Sequence, residues 1–293
     1  MRFSEIGEQL RAYRLESGLR AEEIAARLGV SRAALYRYEK GEVIKLDTVM
    51  RLAELLKISP LSLLGIGVEY YNRPVGYFER LRQIEENADQ IIQVGRACTY
   101  LITTSRFDQL ISEVMEVRDR GNKTDPTTAR NTAEQLHGIL LARKKAYQQR
   151  HPTIIAVYSV DNIESLVRHG LCRGLNLPQA MRTRCREAAI HEVENLIGLL
   201  HDGPLGIQLG LLEDTPISGA FNLLRGRERA ALALNPFNAD DPPEGQFGAA
   251  MITNAEEAIT THQRVVEYCW RNAIKGQAAV ARLSSLVHEA KTM

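Results

Sequence analysis

Four cysteines and one tryptophan in 293 residues leave little room for the chemistry that either residue brings. Cys98, Cys172, Cys185 and Cys269 lie far apart, with no C-x-x-C pair. That spacing excludes a disulfide framework and a zinc ribbon, and reads as small buried hydrophobes in a reducing cytoplasm. No apolar run approaches the ~20 residues that span a bilayer, and the N-terminus lacks a signal-peptide pattern. An excess of one charge is missing too. The 37 Lys and Arg against 36 Asp and Glu give +1, too balanced for broad coating of nucleic acid. A hydrophobic fraction of 44% and a charged fraction of 25% are ordinary for a globular protein. The length suits about two domains.

Catalytic motifs are also absent. None of the seven histidines is followed two residues later by Lys, so no H-x-K-x-x-x-x-D pairs a phosphorus-attacking His with a phosphate-holding Lys. His191-Glu192 begins an H-E-x-x-H zinc pattern, but Asn195 stands where the second His belongs. Gly203-Pro204-Leu205-Gly206 lacks the third Gly and the following helix of a phosphate cradle. It reads as a helix stop leading into a strand. Lys123, Lys144, Lys145, Lys275 and Lys291 fall in helical or loop segments and make no Ser-Lys dyad. The expectation is a chain that is no enzyme and holds no metal or cofactor.

What is present is concentrated between Leu19 and Gly41, LRAEEIAARLGVSRAALYRYEKG. It reads as two short helices pinned by a tight turn at Gly29, a residue free to leave the right-handed region. Ala25 is small where the helices nearly touch, and Val30, Leu35 and Tyr38 hold the angle from inside. Phe3, Ile6, Leu10, Tyr13 and Leu15 give a preceding helix one apolar stripe. Asp47–Leu56 gives a following helix, and Pro60 opens a short fifth one at its first position. These residues, G-L-x-x-E-E-I-A-x-x-L-G-V-S-R-x-x-L-Y-R-Y-E-K-G and then L-A-E-L-L-K-I, resemble the Cro/C1-type (XRE) helix-turn-helix family over residues 3–65. The resemblance implies that Arg14 of the first helix pairs with Glu39 near the end of the third.

A second helix of this kind is free to enter a DNA major groove and expose Arg32, Ala33, Tyr36 and Arg37. Arg32 and Arg37 are the expected base readers, since Arg bidentate to guanine is the commonest specific contact. Ala33 permits close approach. Ser31, Lys40 and the start of the second helix at Arg20 and Ala21 are expected to hold phosphates. Residues 1–70 carry eleven Lys and Arg against ten Asp and Glu, but Arg27, Arg32, Arg37, Lys40 and Lys45 gather around the reader. So modest a footprint implies weak binding by one copy, and hence a homodimer on a palindromic operator.

After Gly65–Pro74, read as a linker that Tyr70 and Tyr71 could instead dock onto a neighbour, helix and strand patterns alternate. Gly76–Ala97, Phe107–Val117, 126–150 behind the cap Asp125, Pro178–His201, Ala255–Ala273 and Gly276–Lys291 read as helices. Cys98–Thr104, Thr153–Val160, Gly206–Leu212, Ala220–Leu224 and Arg229–Leu234 read as five strands, with Asn235–Gly245 a surface loop. Pro178–His201 carries a broad apolar stripe, readable as core alone or as core plus partner, and Trp270 reads as an anchor for the last helices. This order, with its tail EYCWRNA, resembles the phospholipase-D-like sensor domains of TrmB-type regulators.

The expected architecture is multidomain. Residues 1–66 form an all-α five-helix helix-turn-helix domain, 67–75 a linker, and 76–293 a larger α/β or α+β domain for dimerisation and effector sensing. The expected function is a cytoplasmic, sequence-specific transcription regulator that binds double-stranded DNA, with a possible small-molecule effector and no membrane contact. The rival reading is a DNA-binding antitoxin or adaptor whose C-terminal domain grips a partner protein.

Overall fold

The computed structural model describes residues 3–119, 126–213, 219–227, 229–237 and 248–292. Five helices open the chain: α1 (Phe3–Ser17), α2 (Ala21–Leu28), α3 (Arg32–Glu39), α4 (Leu46–Leu56) and α5 (Pro60–Leu63). Local chemistry sets their ends. Gly29, at φ 70°, closes α2 while its own N–H and that of Val30 bond back to Ala26 and Ala25. The Ser31 hydroxyl accepts from Ala34 N–H to start α3. Ser59 caps α5, with Pro60 at its first position. Ile6, Leu10, Tyr13, Ile24, Leu35, Leu52 and Leu63 meet between these helices, in a core that continues into the rest of the chain. The side chain of Phe3 lies outside the described residues.

The rest is a seven-stranded mixed sheet in the order β1-β7-β6-β5-β2-β3-β4. Its strands are β1 (Val68–Tyr71), β2 (Ala88–Val94), β3 (Thr153–Ser159), β4 (Ile207–Leu212), β5 (Phe221–Gly226), β6 (Ala230–Leu234) and β7 (Ala250–Thr253). The pairs β2–β3 and β3–β4 are parallel, and every other pair is antiparallel. Alternation along the strands sends side chains to two faces. Ile92, Val94, Val157, Leu212, Leu223 and Leu232 face helix α11 (Glu256–Asn272). Ile91, Ile154, Ala156, Leu209, Leu211 and Ile252 join the larger core beneath the other helices. Those are α6 (Pro74–Glu85), α7 (Ser105–Asp119), α8 (Pro126–Arg150), α9 (Val160–His169), α10 (Gln179–Asp202) and α12 (Gly276–Thr292).

Several sequence expectations need correction. The expected linker 67–75 is instead β1 and the start of α6, because Val68–Tyr71 pairs in register with Ala250–Thr253 at the sheet edge. The second structural unit therefore begins at Val68, and of the two tyrosines it is Tyr71 that docks. The helix expected over Gly76–Ala97 stops at Glu85, and Ala88–Val94 becomes a strand between β3 and β5. Cys98–Thr104 is not a strand: its centre, Tyr100–Ile102, is a 3-10 turn that buries Leu101. Among the described residues the sheet thus has seven strands rather than five. Asp125 and most of the Asn235–Gly245 loop lie outside the described residues.

The apolar stripe of α10 is spent internally, with Cys185, Ala188, Ala189, Val193 and Leu196 buried. Trp270 packs against β4, where a Cβ on Gly210 would come 2.9 Å from Ala273 and 3.4 Å from the indole. Among the described residues, no helix is long and apolar enough to cross a membrane.

Candidate nucleic-acid interface

The third helix presents one open face. Arg32, Ala33 and Arg37 are exposed on it, and the half-buried Tyr36 lies between them and the core. Positions 32, 33, 36 and 37 share that face because helical neighbours recur three and four residues apart. The opposite face buries Ala34 and Leu35. Ser31 and Arg20 are exposed at the starts of α3 and α2, and Lys40 is exposed at the end of α3. Ala21 differs: its side chain is buried, so a phosphate could meet only its backbone.

Two contacts fix the reader against α1. Arg14 and Glu39 form a two-pronged pair, with Nε–Oε1 at 2.5 Å and Nη2–Oε2 at 3.1 Å. Their side chains are only 13% and 4% exposed. One turn before Leu10, Gly7 lets α1 pass so close that an added Cβ would lie 2.6 Å from the Tyr38 and Glu39 carbonyls. Arg14 also sits over the Tyr36 ring, 5.9 Å from its centroid. The angle of α3 is therefore set by close backbone approach and a nearly desolvated ion pair.

Both expected base readers are held by carboxylates of the same domain. Arg32 meets Glu22 of α2 at 2.7 Å, donates to the Tyr36 hydroxyl, and lies over that ring. These contacts raise its pKa, so it stays a cation. Arg37 meets Glu42 at 2.7 Å, just beyond the helix. Sequence reasoning missed Glu22 and Glu42, because their pairings depend on the fold and not on helical spacing. Exposed pairs of this kind contribute about 0–1 kcal/mol, so a guanine edge can replace the carboxylate at small cost. At the start of α2, Glu23 accepts from the Arg20 N–H and guanidinium, occupying donors expected to meet phosphate.

Elsewhere a lysine meets a hydroxyl, the contact that a hydroxyl–lysine dyad would need. Lys144 Nζ comes within 2.9 Å of Thr103 Oγ1, but its ammonium is ion-paired with Asp108 at 2.6 Å. No group of three His, Cys, Asp or Glu residues converges as a metal site among the described residues.

The helical head is joined tightly to the sheet. Arg11 of α1 pairs with buried Glu79 of α6, and Arg80 of α6 reaches both Glu8 and Glu69. Gln9 donates to Glu69, and the Gln83 amide donates to the Glu8 carbonyl. Glu16 accepts the N–H groups of Asn72 and Arg73 at the start of α6. Burial pushes that carboxyl up to about 7 despite those bonds.

Comparison with known proteins agrees with this geometry. A family model described as a helix-turn-helix domain matches residues 5–63. A protein of Pyrococcus horikoshii, named as an HTH-type transcriptional regulatory protein, is 42% identical over 62 residues, which cover 20% of each chain. The chain thus aligns with only a fifth of that curated relative. The structure of TrmBL2, an archaeal chromatin protein described as showing a novel mode of DNA binding, aligns with 78% of this chain and 62% of that one. With 11% identity and a TM-score of 0.34, that likeness is too slight to decide the C-terminal fold. Residues 5–63 are a helix-turn-helix domain, followed by a larger α/β domain built on a mixed sheet.

Proposed function

We propose that the protein is a cytoplasmic, sequence-specific transcription regulator of double-stranded DNA. In this reading α3 lies in the major groove, with Arg32 and Arg37 on base edges and Ala33 near a thymine methyl. Ser31 and Lys40 meet phosphates, as does the start of α2 at Arg20 and the Ala21 backbone. The carrying observation is the exposed Arg32–Ala33–Arg37 face, capped by Ser31 and braced from behind by Arg14–Glu39. The C-terminal domain is non-catalytic and senses a small-molecule effector. A selection from random duplexes with the full chain should return one motif, its halves about a helical turn apart. Recovery of unrelated sequences, bound equally, would overturn this reading.

The homodimer expected on a palindromic operator has two candidate surfaces. The C-terminal helices were the expected one. The helix-turn-helix domain offers another, since Val43, Leu46, Met50, Leu61 and Ile66 are all exposed around α4 and α5. Leu46 and Met50 sit four residues apart on the same side of α4. By contrast, the exposed large apolar side chains of the C-terminal domain, among the described residues, are Tyr70, Leu141, Leu205, Val265 and Tyr268. That scatter favours effector sensing over the adaptor reading, which calls for a broad apolar patch.

A further inference from the structure

The seven-stranded sheet carries a cavity of about 450 Å3 at the carboxyl ends of β2 and β3. In open α/β sheets this is where ligands bind, and the volume suits a small organic molecule. Phe78, Tyr100, Phe107 and Phe237 contribute to its floor, and of the four rings only Tyr100 is more than marginally exposed. Tyr100 and Phe107 meet edge to face at 5.9 Å, and Phe237 is fully buried. These rings pack on one another and on Arg143, and offer a flat apolar group a surface to lie on.

Charge supplies the other half of the argument. Among the lining residues are three arginines, Arg96, Arg143 and Arg173, and one carboxylate, Glu85. Glu85 is spoken for: it receives both prongs of buried Arg143, each at 2.8 Å. Arg173, exposed at the lip, donates to the Ser165 hydroxyl at 2.6 Å, a neutral partner that an anion can share or displace. A guanidinium so placed prefers carboxylate, phosphate or sulfonate oxygens.

We infer that this cavity binds an aromatic organic anion, its planar body on the apolar floor beside Tyr100 and its anionic group at Arg173. The inference deepens the effector reading above, on which it rests. It also supplies a route for regulation. Phe78, Leu81 and Glu85 of α6 line the cavity, while Glu79, Arg80 and Gln83 of the same helix hold α1 of the DNA-binding head. A ligand that shifts α6 bears directly on the reader's mounting.

The test uses the full chain without DNA. 1-Anilinonaphthalene-8-sulfonate, an aromatic anion, is titrated by fluorescence beside N-phenyl-1-naphthylamine, its uncharged analogue. The wild type should bind the sulfonate at one saturable site, about tenfold tighter than the neutral probe. Arg173→Met, at an exposed position that should fold normally, should erase that preference, and Ser165→Trp should weaken both probes by crowding the mouth. Benzoate and phenyl phosphate then compete separately, and the stronger competitor identifies the anionic group. Equal binding of the two probes, an unchanged preference in Arg173→Met, or displacement by neither competitor would overturn the inference. Because no DNA is present, such a failure is distinct from failure of the regulator reading, which the duplex selection judges alone.

Discussion

Tyr13 of the first helix stacks on Tyr71 of the edge strand, with ring centroids 5.1 Å apart and planes 13° from parallel. Both rings are buried, and Tyr71 also donates to Glu69, the carboxylate shared by Gln9 and Arg80. The DNA-binding head is therefore mounted on the sheet through a common core. Tyr71→Ala should cost about 3–5 kcal/mol, the range for removing a buried aromatic side chain. Urea unfolding would measure it. A midpoint unchanged from wild type would show that the stack carries no weight.

Glu16 predicts a pH dependence whose sign follows from its burial. Its folded pKa, about 7, lies above the ordinary glutamate value of 4.5 that holds in the unfolded chain. The folded state thus binds the proton more tightly. Its contribution to stability is complete below the unfolded pKa and is lost as pH rises through 7. The Tm of the full chain should fall between pH 5.5 and 8, and Glu16→Gln should flatten that slope and raise Tm at pH 8. Parallel slopes in the two proteins would contradict the assignment.

The Arg14–Glu39 pair predicts an asymmetric cycle. With Glu39 only 4% exposed, Glu39→Ala leaves the Arg14 guanidinium nearly stranded, at a cost of about 3–5 kcal/mol. Arg14→Met with Glu39→Leu should cost less than the single change. Simple additivity of the two single changes would show that the residues do not interact.

The carboxylates on the reader predict a gain of function. Glu42→Gln frees Arg37, and Glu22→Gln frees Arg32. Each exposed pair is worth at most about 1 kcal/mol, so DNA affinity should rise by no more than about fivefold, and most at low salt. Fluorescence anisotropy at two salt concentrations would record it. A loss of affinity in either variant would mean that the carboxylate itself serves the interface.

The helix-turn-helix domain was legible in the sequence because its signals are local. Gly29, Ser31 and Pro60 each set a helix end by their own conformational or hydrogen-bonding chemistry. The sheet was legible only where strands stood between clear stops, as Thr153–Ser159 does behind Pro152. Val68–Tyr71 was read as a linker because its partner, Ala250–Thr253, lies far along the chain. Ala88–Val94 follows a helix with apolar residues that suit either period, and pairing with β3 and β5 decides the outcome. Cys98–Thr104 is rich in β-formers, yet the Tyr100 hydroxyl is turned toward Asp108 and the segment coils. The cavity at the sheet's end had no sequence signal, since its wall gathers Phe78, Tyr100, Phe107 and Phe237 from separate segments.

The most direct test of the account is the base preference of Arg37→Ala on the duplex selected by the wild-type chain. If α3 reads the major groove, this substitution should cost about 1–3 kcal/mol and relax the preference at one position in each half-site. Lys40→Ala, measured beside it, should weaken all duplexes alike and flatten the salt dependence. An Arg37→Ala variant that keeps both its affinity and its sequence preference would contradict the placement of α3.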